Sequence, residues 1–210
     1  MAFVPPSTPA RLWLLPHARR QRGEPAIRPV LSHALDCAEP SLPLFRDVQG
    51  RPHLGPPFER FDAGWSHSGE ALLLALGESI ELGVDIEQVR PRPRARELAQ
   101  RFFHQDEVDW LATQEGSAME FSFVRLWCAK EAVLKAHGKG LSFGLEKLMF
   151  AEDRGTLKLV ACDAALGAPS DWLVREWTPL DGYHAALAWR PLVSIGGVGA
   201  TPIGQQRRLR

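Results

Sequence analysis

The stretch from Ser117 to His137 is the strongest constraint on how this chain folds. Phe123, Leu126, Trp127, Val133 and Leu134 form an apolar stripe at helical spacing, and Gly138 follows where a left-handed residue would end a long helix. Glu131 falls one turn after Trp127, at the border of that stripe. A carboxylate there is costly to bury unless a cation meets it. Lys135 stands four residues further on and so shares a helix face with Glu131.

A second run carries matching chemistry. Ala71 to Leu76 and Leu82 to Ile86 flank Gly77-Glu78-Ser79 and read as two strands joined by a tight turn or a short linker. Within Gly83-Val84-Asp85-Ile86-Glu87 the two acids are two apart, so on a strand both carboxylates face the same way. Two hard oxygen ligands can then share a Mg2+. With Glu131 completing the metal shell and Lys135 meeting a phosphate oxygen, the two runs together suit a divalent-metal and phosphate site.

The remaining segments are less sharply marked. Glu24 to Cys37 reads as a short helix with Pro29 kinking it or setting its first turn. Glu39 to Pro57, rich in Pro and Gly, reads as loop around a Gly50-Arg51-Pro52 turn. After Pro91-Arg92-Pro93, helices are expected over Arg94 to Phe103 and Asp106 to Thr113. Leu157 to Cys162, Trp172 to Trp177 and His184 to Trp189 suggest an antiparallel meander, and Val193 to Arg210 a disordered tail.

Composition excludes several classes. Lys plus Arg and Asp plus Glu balance at 25 each, so net charge calls for neither nucleic acid nor an anionic membrane, and any basic site must be local. The apolar runs are too short to span a bilayer, and the start Met1-Ala2-Phe3-Val4-Pro5-Pro6 does not read as a secretory signal. A soluble, cytoplasmic protein is expected. Cys37, Cys128 and Cys162 lie far apart with no C-x-x-C pair, which argues against a disulfide scaffold or a zinc site.

Taken singly, each signal has an ordinary explanation. Asp85 and Glu87 suit a solvated edge strand; Glu131 and Lys135 suit a surface ion pair; His67 suits a structural turn. Taken in order, the motifs are specific. Gly50-Arg51-Pro52, Phe61 through Ser66-His67-Ser68-Gly69, Gly83 to Glu87, Arg101-Phe102-Phe103 with Glu107, and Trp127-x-x-Lys130-Glu131-x-x-x-Lys135 before Gly138-Lys139-Gly140-Leu141 resemble the Sfp-type 4'-phosphopantetheinyl transferases. The resemblance covers most of the chain.

That resemblance implies an α+β fold of two similar halves related by a pseudo-two-fold, with the active site in the cleft between them. The halves would be residues 1–79 and 80–192, the second carrying the metal site, with 193–210 as the tail. It implies transfer of the phosphopantetheine arm of coenzyme A, as substrate, to a serine of an apo acyl or peptidyl carrier protein, releasing adenosine 3',5'-bisphosphate. By the family match, Asp85, Glu87 and Glu131 would bind Mg2+. Glu131 would also help deprotonate the serine, and Lys135 would neutralise the diphosphate. Arg51, Ser66 and His67 match positions that hold parts of coenzyme A, and Glu107 matches an acidic residue near the site. A monomer is expected, because one chain supplies both halves of the cleft.

Two features depart from the family. The basic segment before the first helix is short, leaving Arg11, Arg19, Arg20 or Arg22 as substitutes, and Trp65 stands where a small aliphatic residue is usual. Arg94, Arg96, Arg101 and Lys139 are candidates by position for carrier docking. Two rival functions remain: a Mg2+-dependent hydrolase of coenzyme A or nucleotide diphosphates, and a catalytically silent binding module.

Overall fold

The structure is a computed structural model and describes residues 2–3 and 8–192; the tail expected to be disordered lies outside the described residues. Its first sheet comprises β1 (Ala2–Phe3), β2 (Ala10–Pro16), β5 (Phe61–Ser68) and β6 (Ala71–Glu78) in the antiparallel order β1-β2-β6-β5. The second comprises β7 (Ile80–Gln88), β10 (Leu173–Trp177) and β11 (Tyr183–Pro191) in the antiparallel order β10-β11-β7.

Side-chain alternation explains how these sheets stack. Along β6, Leu72, Leu74 and Leu76 point to α1 (Glu24–Ala34) and pack on its Ile27 and Leu31. Leu73 and Ala75 point the other way, where Leu82, Val84 and Ile86 of β7 and Ala185 and Leu187 of β11 meet them. Beyond the second sheet, Ala186 and Ala188 pack on α4 (Gly116–His137). The result is four layers, helix, sheet, sheet, helix, and β6 is apolar from Ala71 to Leu76 because both its faces are covered. Each fully buried leucine of β6 contributes roughly 2 kcal/mol relative to exposure.

Both halves run through the same path. A strand beside the central one (β2, β7) leads to a helix (α1, α4), then to the strand on the central strand's other side (β5, β10), then to the central strand between them (β6, β11). That repeated connectivity is what a pseudo-two-fold between two α+β halves requires. Between the repeated elements lie the hairpin β3 (Leu44–Arg46) and β4 (Pro52–Leu54), the helices α2 (Ala95–Phe102) and α3 (Gln105–Ala112), and the hairpin β8 (Leu148–Asp153) and β9 (Thr156–Cys162).

The long helix matches its sequence expectation closely. Gly138 ends it at φ 82°, its N–H donating to the Leu134 and Lys135 carbonyls. Burial is not confined to the expected stripe, because β7, β11, α2, α3 and the β8–β9 hairpin all pack around it. Gly83 of β7 sits against the helix backbone: a Cβ there would lie 2.2 Å from the Ala132 carbonyl oxygen and 2.3 Å from the Ala136 nitrogen. No side chain fits between strand and helix.

Two sequence expectations change, and of the two alternatives for the link between β6 and β7 the structure takes one. The stretch 39–57 is not all loop, since Asp47 Oδ1 accepts the Gln49 and Arg51 N–H groups and closes the β3–β4 hairpin, with Gly50 at φ 86°. Strands β6 and β7 follow one another but belong to different sheets, so Ser79 at φ 58° is a linker and not a hairpin turn. The expected meander is divided, because β9 pairs with β8 while β10 and β11 extend the sheet of β7. Among the described residues no helix is long and apolar enough to cross a membrane.

Candidate functional site

Strands β5 and β7 come from different sheets and meet side by side through their side chains. Ser66 Oγ donates to Asp85 Oδ1 at 2.6 Å, and Ser68 Oγ donates to Glu87 Oε2 at 3.0 Å. The two-residue period that puts Asp85 and Glu87 on one face puts Ser66 and Ser68 opposite them. From α4, Lys135 Nζ reaches Asp85 Oδ1 at 2.6 Å and Ser66 Oγ at 2.9 Å. Three motifs distant in sequence thus meet at one aspartate, itself only 3% exposed.

Glu131, one turn before Lys135, is also buried. Burial pushes its carboxyl up to about 7, the charges of Asp85 and Glu87 push the same way, and Lys135 opposes them. Lys135 is itself held above the usual ammonium range, because the attraction of Asp85 and Glu131 outweighs the cost of burying its charge. Negative charge is in excess at this spot. Asp85 Oδ2 is buried without a partner, a polar atom that a bound cation would satisfy.

Among the described residues no group of three His, Cys, Asp or Glu side chains is arranged to hold a metal ion. Glu87 is engaged by protein groups, with Arg92 donating to Oε2 at 2.6 Å alongside Ser68. The donor set still suits Mg2+: hard carboxylate oxygens, one of them orphaned, near a carboxyl whose charge is penalised.

Basic groups surround this acidic floor. A depression between the halves is lined by Arg46, Arg51, Trp65, Gly83, Lys135 and Gly138. It continues past Arg22, Ser66 and His67, and then past His17, Arg19, Arg20 and Arg90. His67 stacks on His17 with ring centroids 4.2 Å apart. Desolvation first, then the charges of His17 and Lys135, holds the His67 pKa below the usual imidazole value.

The other sequence candidates are placed as follows. Arg51 lies in the cleft but is partly engaged: it pairs with Asp62 at 2.5 Å and donates through Nε to the Lys135 carbonyl at 3.2 Å. It ties β4 to the end of α4. Arg19, Arg20 and Arg22 line the groove, whereas Arg11 turns away to the Ala34 carbonyl and stacks over Trp13. Trp65 carries Arg46 over its ring at 5.0 Å, with the start of α1 against its edge. Phe103 is core, stacked on Phe123.

Glu107 is a correction. Its carboxylate has no exposed surface; it pairs with Lys130 Nζ at 2.6 Å and accepts the N–H groups of His104 and Phe150. Both oxygens are committed, so Glu107 cannot contact coenzyme A. It locks α3 and β8 to α4, and Lys130 completes the lock through the Leu145 and Leu148 carbonyls. Sequence reading also missed His17, Arg46, Arg90 and Arg92. Their only signal was basic character in segments without periodicity.

Comparison with known proteins gives a consistent picture. Residues 81–188 match the family model described as the 4'-phosphopantetheinyl transferase superfamily. The chain is 34% identical over 173 residues to slr0495 of Synechocystis sp., provisionally named a 4'-phosphopantetheinyl transferase, covering 78% of this chain and 68% of that protein. It is 33% identical over 154 residues to the 4'-phosphopantetheinyl transferase psf-1 of Bacillus pumilus, covering 70% of this chain and 63% of the relative. With HetI of Nostoc sp., of the same name class, identity is 30% over 190 residues, 86% of this chain and 77% of the relative. The Thermotoga maritima holo-acyl-carrier-protein synthase structure aligns over 53% of this chain and 62% of its own, at TM-score 0.43 and 21% identity. The three sequence relatives are all named 4'-phosphopantetheinyl transferases, and the hydrolase alternative finds no support among them.

Proposed function

We propose, from the premise that the chain belongs to the 4'-phosphopantetheinyl transferase superfamily, how its residues divide the work of moving the phosphopantetheine arm of coenzyme A onto a carrier-protein serine. The observation that carries the reading is the meeting of Ser66, Asp85 and Lys135 across the two halves, beside Glu131. Residues 1–79 bring the nucleotide-holding groups Arg51, Ser66 and His67, and residues 80–192 bring the acids and Lys135.

Asp85, Glu87 and Glu131 would hold Mg2+, which when bound neutralises charge on the diphosphate and its leaving oxygen. Lys135 places an ammonium against the same diphosphate, adding fixed positive charge where negative charge grows. The carrier serine oxygen forms a bond to the pantetheine-side phosphorus as the bond from that phosphorus to the bridging oxygen breaks. Adenosine 3',5'-bisphosphate leaves, and the serine proton passes to Glu131 directly or through a water. Its raised pKa suits it to accept a proton, while ligation of a metal would weaken it as a base. The basic groove of Arg22, Arg46, Arg51 and His67 takes the remaining phosphates.

Carriers of fatty acid, polyketide or nonribosomal peptide synthesis are the acceptor class, and the enzyme acts as a cytoplasmic monomer. The test is the intact mass of an apo carrier incubated with this protein, coenzyme A and Mg2+. A phosphopantetheine adduct that disappears with Glu131→Ala or Lys135→Ala supports the reading. An unmodified carrier alongside consumed coenzyme A overturns it.

A further inference from the structure

We infer that Arg92 is a built-in counter-ion of Glu87 that a divalent cation must displace, so that Arg92 sets the cation affinity of the site. The inference rests on the reading of Asp85, Glu87 and Glu131 as the cation's ligands. Glu87 Oε2 accepts from Arg92 Nη2 at 2.6 Å and from Ser68 Oγ at 3.0 Å. Ser68 Oγ also accepts the Gln88 N–H at 3.1 Å, which keeps its own proton on the carboxylate. One of the two Glu87 carboxylate oxygens is therefore already taken twice, and a cation that both oxygens were to hold would have to displace Arg92.

The chain around Arg92 is built to aim it. Pro91 and Pro93 fix their own φ angles, and a following proline bars Arg92 from helical geometry. The Arg92 N–H donates to Glu120 Oε1 of α4 at 3.0 Å, anchoring the arm between β7 and α2. Among the described residues the guanidinium is held through one nitrogen, while its Nε is buried without a partner. A single-pronged contact between groups 20% and 22% exposed is displaceable, unlike a buried two-pronged pair.

The two strand carboxylates are thus each neutralised from within, Asp85 by Lys135 and Glu87 by Arg92, whereas Glu131 forms no ion pair among the described residues. Releasing Lys135 and Arg92 frees two ligands and two positive groups together. Cation entry and diphosphate entry then favour one another, because the displaced cations need an anionic partner.

Mn2+ binding, read from the free-ion electron paramagnetic resonance signal, tests this without turnover. Arg92→Gln should bind Mn2+ about two- to tenfold more tightly than wild type, Arg92→Lys should fall between, and Asp85→Asn should lose binding. Unchanged or weaker binding by Arg92→Gln, with Asp85→Asn still inactive in binding, overturns the role of Arg92 and leaves the ligand reading standing. Wild-type Mn2+ binding by Asp85→Asn removes the ligand reading, and this inference with it.

Discussion

Replacing Gly83 by alanine should separate the two elements that carry the acids. The added Cβ would lie 2.2 Å from the Ala132 carbonyl oxygen, 2.3 Å from the Ala136 nitrogen and 3.0 Å from the Ala136 Cα. These are backbone atoms of a long, buried helix, so no rotamer change can make room. Ordinary contact requires β7 and α4 to part by roughly 1 Å. Overpacking of this kind costs about 3 kcal/mol, which for a chain of this size lowers Tm by about 6–12 °C. Function suffers more, because Asp85 and Glu87 ride on the strand and Glu131 and Lys135 on the helix. A displacement of about 1 Å among groups that must act together costs about 100-fold in rate. The assay pairs thermal denaturation with the initial rate of carrier modification by intact mass, at a temperature where both proteins are folded. Gly64→Ala is the control, since its Cβ meets only the end of Leu82, at 3.3 Å, and an ordinary contact at Gly83. Wild-type rate and Tm in Gly83→Ala would refute the claim that helix-to-strand contact sets the site.

Three further outcomes follow from the charged groups. Glu131→Gln should lower the rate at least about 100-fold while leaving the fold intact, measured by single-turnover carrier modification and circular dichroism. Burial alone would raise the Glu176 pKa, but hydrogen bonds from Arg125, His184 and the Leu157 N–H pull it down to about 2. A folded pKa below the unfolded one gives stability that is present above about pH 4.5 and is lost as pH falls towards 2; denaturant midpoints at pH 7 and pH 3 should show this. Glu176→Gln should cost about 3 kcal/mol at pH 7 and flatten that acid limb. Lys130→Met or Glu107→Leu should each cost about 3–5 kcal/mol in urea unfolding, and the double change Lys130→Met with Glu107→Leu less than the sum of the singles, because only the singles strand a buried charge.

What the sequence made legible is the part fixed by local pattern. The helix from Gly116 to His137 has its stripe and its terminal glycine, and the spacing of Asp85 and Glu87 fixes their common face once β7 is a strand. The motif resemblance brought Ser66, Asp85, Glu131 and Lys135 into one site. Short strands such as β3 and β4 were hidden, since three residues cannot show an alternation and their pairing depends on the side chain of Asp47. The fate of Glu107 was hidden for a different reason. An acid in the first turn of a helix is ordinary, and only the arrival of Lys130 from α4 and the Phe150 N–H from β8 decides that it is sealed inside. Arg92 likewise reads as a turn residue until β7 and α2 fix where its arm can reach.

The repeated path of the two halves has a consequence for how this enzyme can vary. Two identical subunits around an axis would carry every substitution twice and would build matched clefts, each obliged to serve as both acid and base. Here the copies are tandem stretches of one polypeptide, so a change in one leaves its counterpart untouched. On the proposed reading, one copy supplies the carboxylates and the other the nucleotide-facing groups, and each can be altered without altering its counterpart.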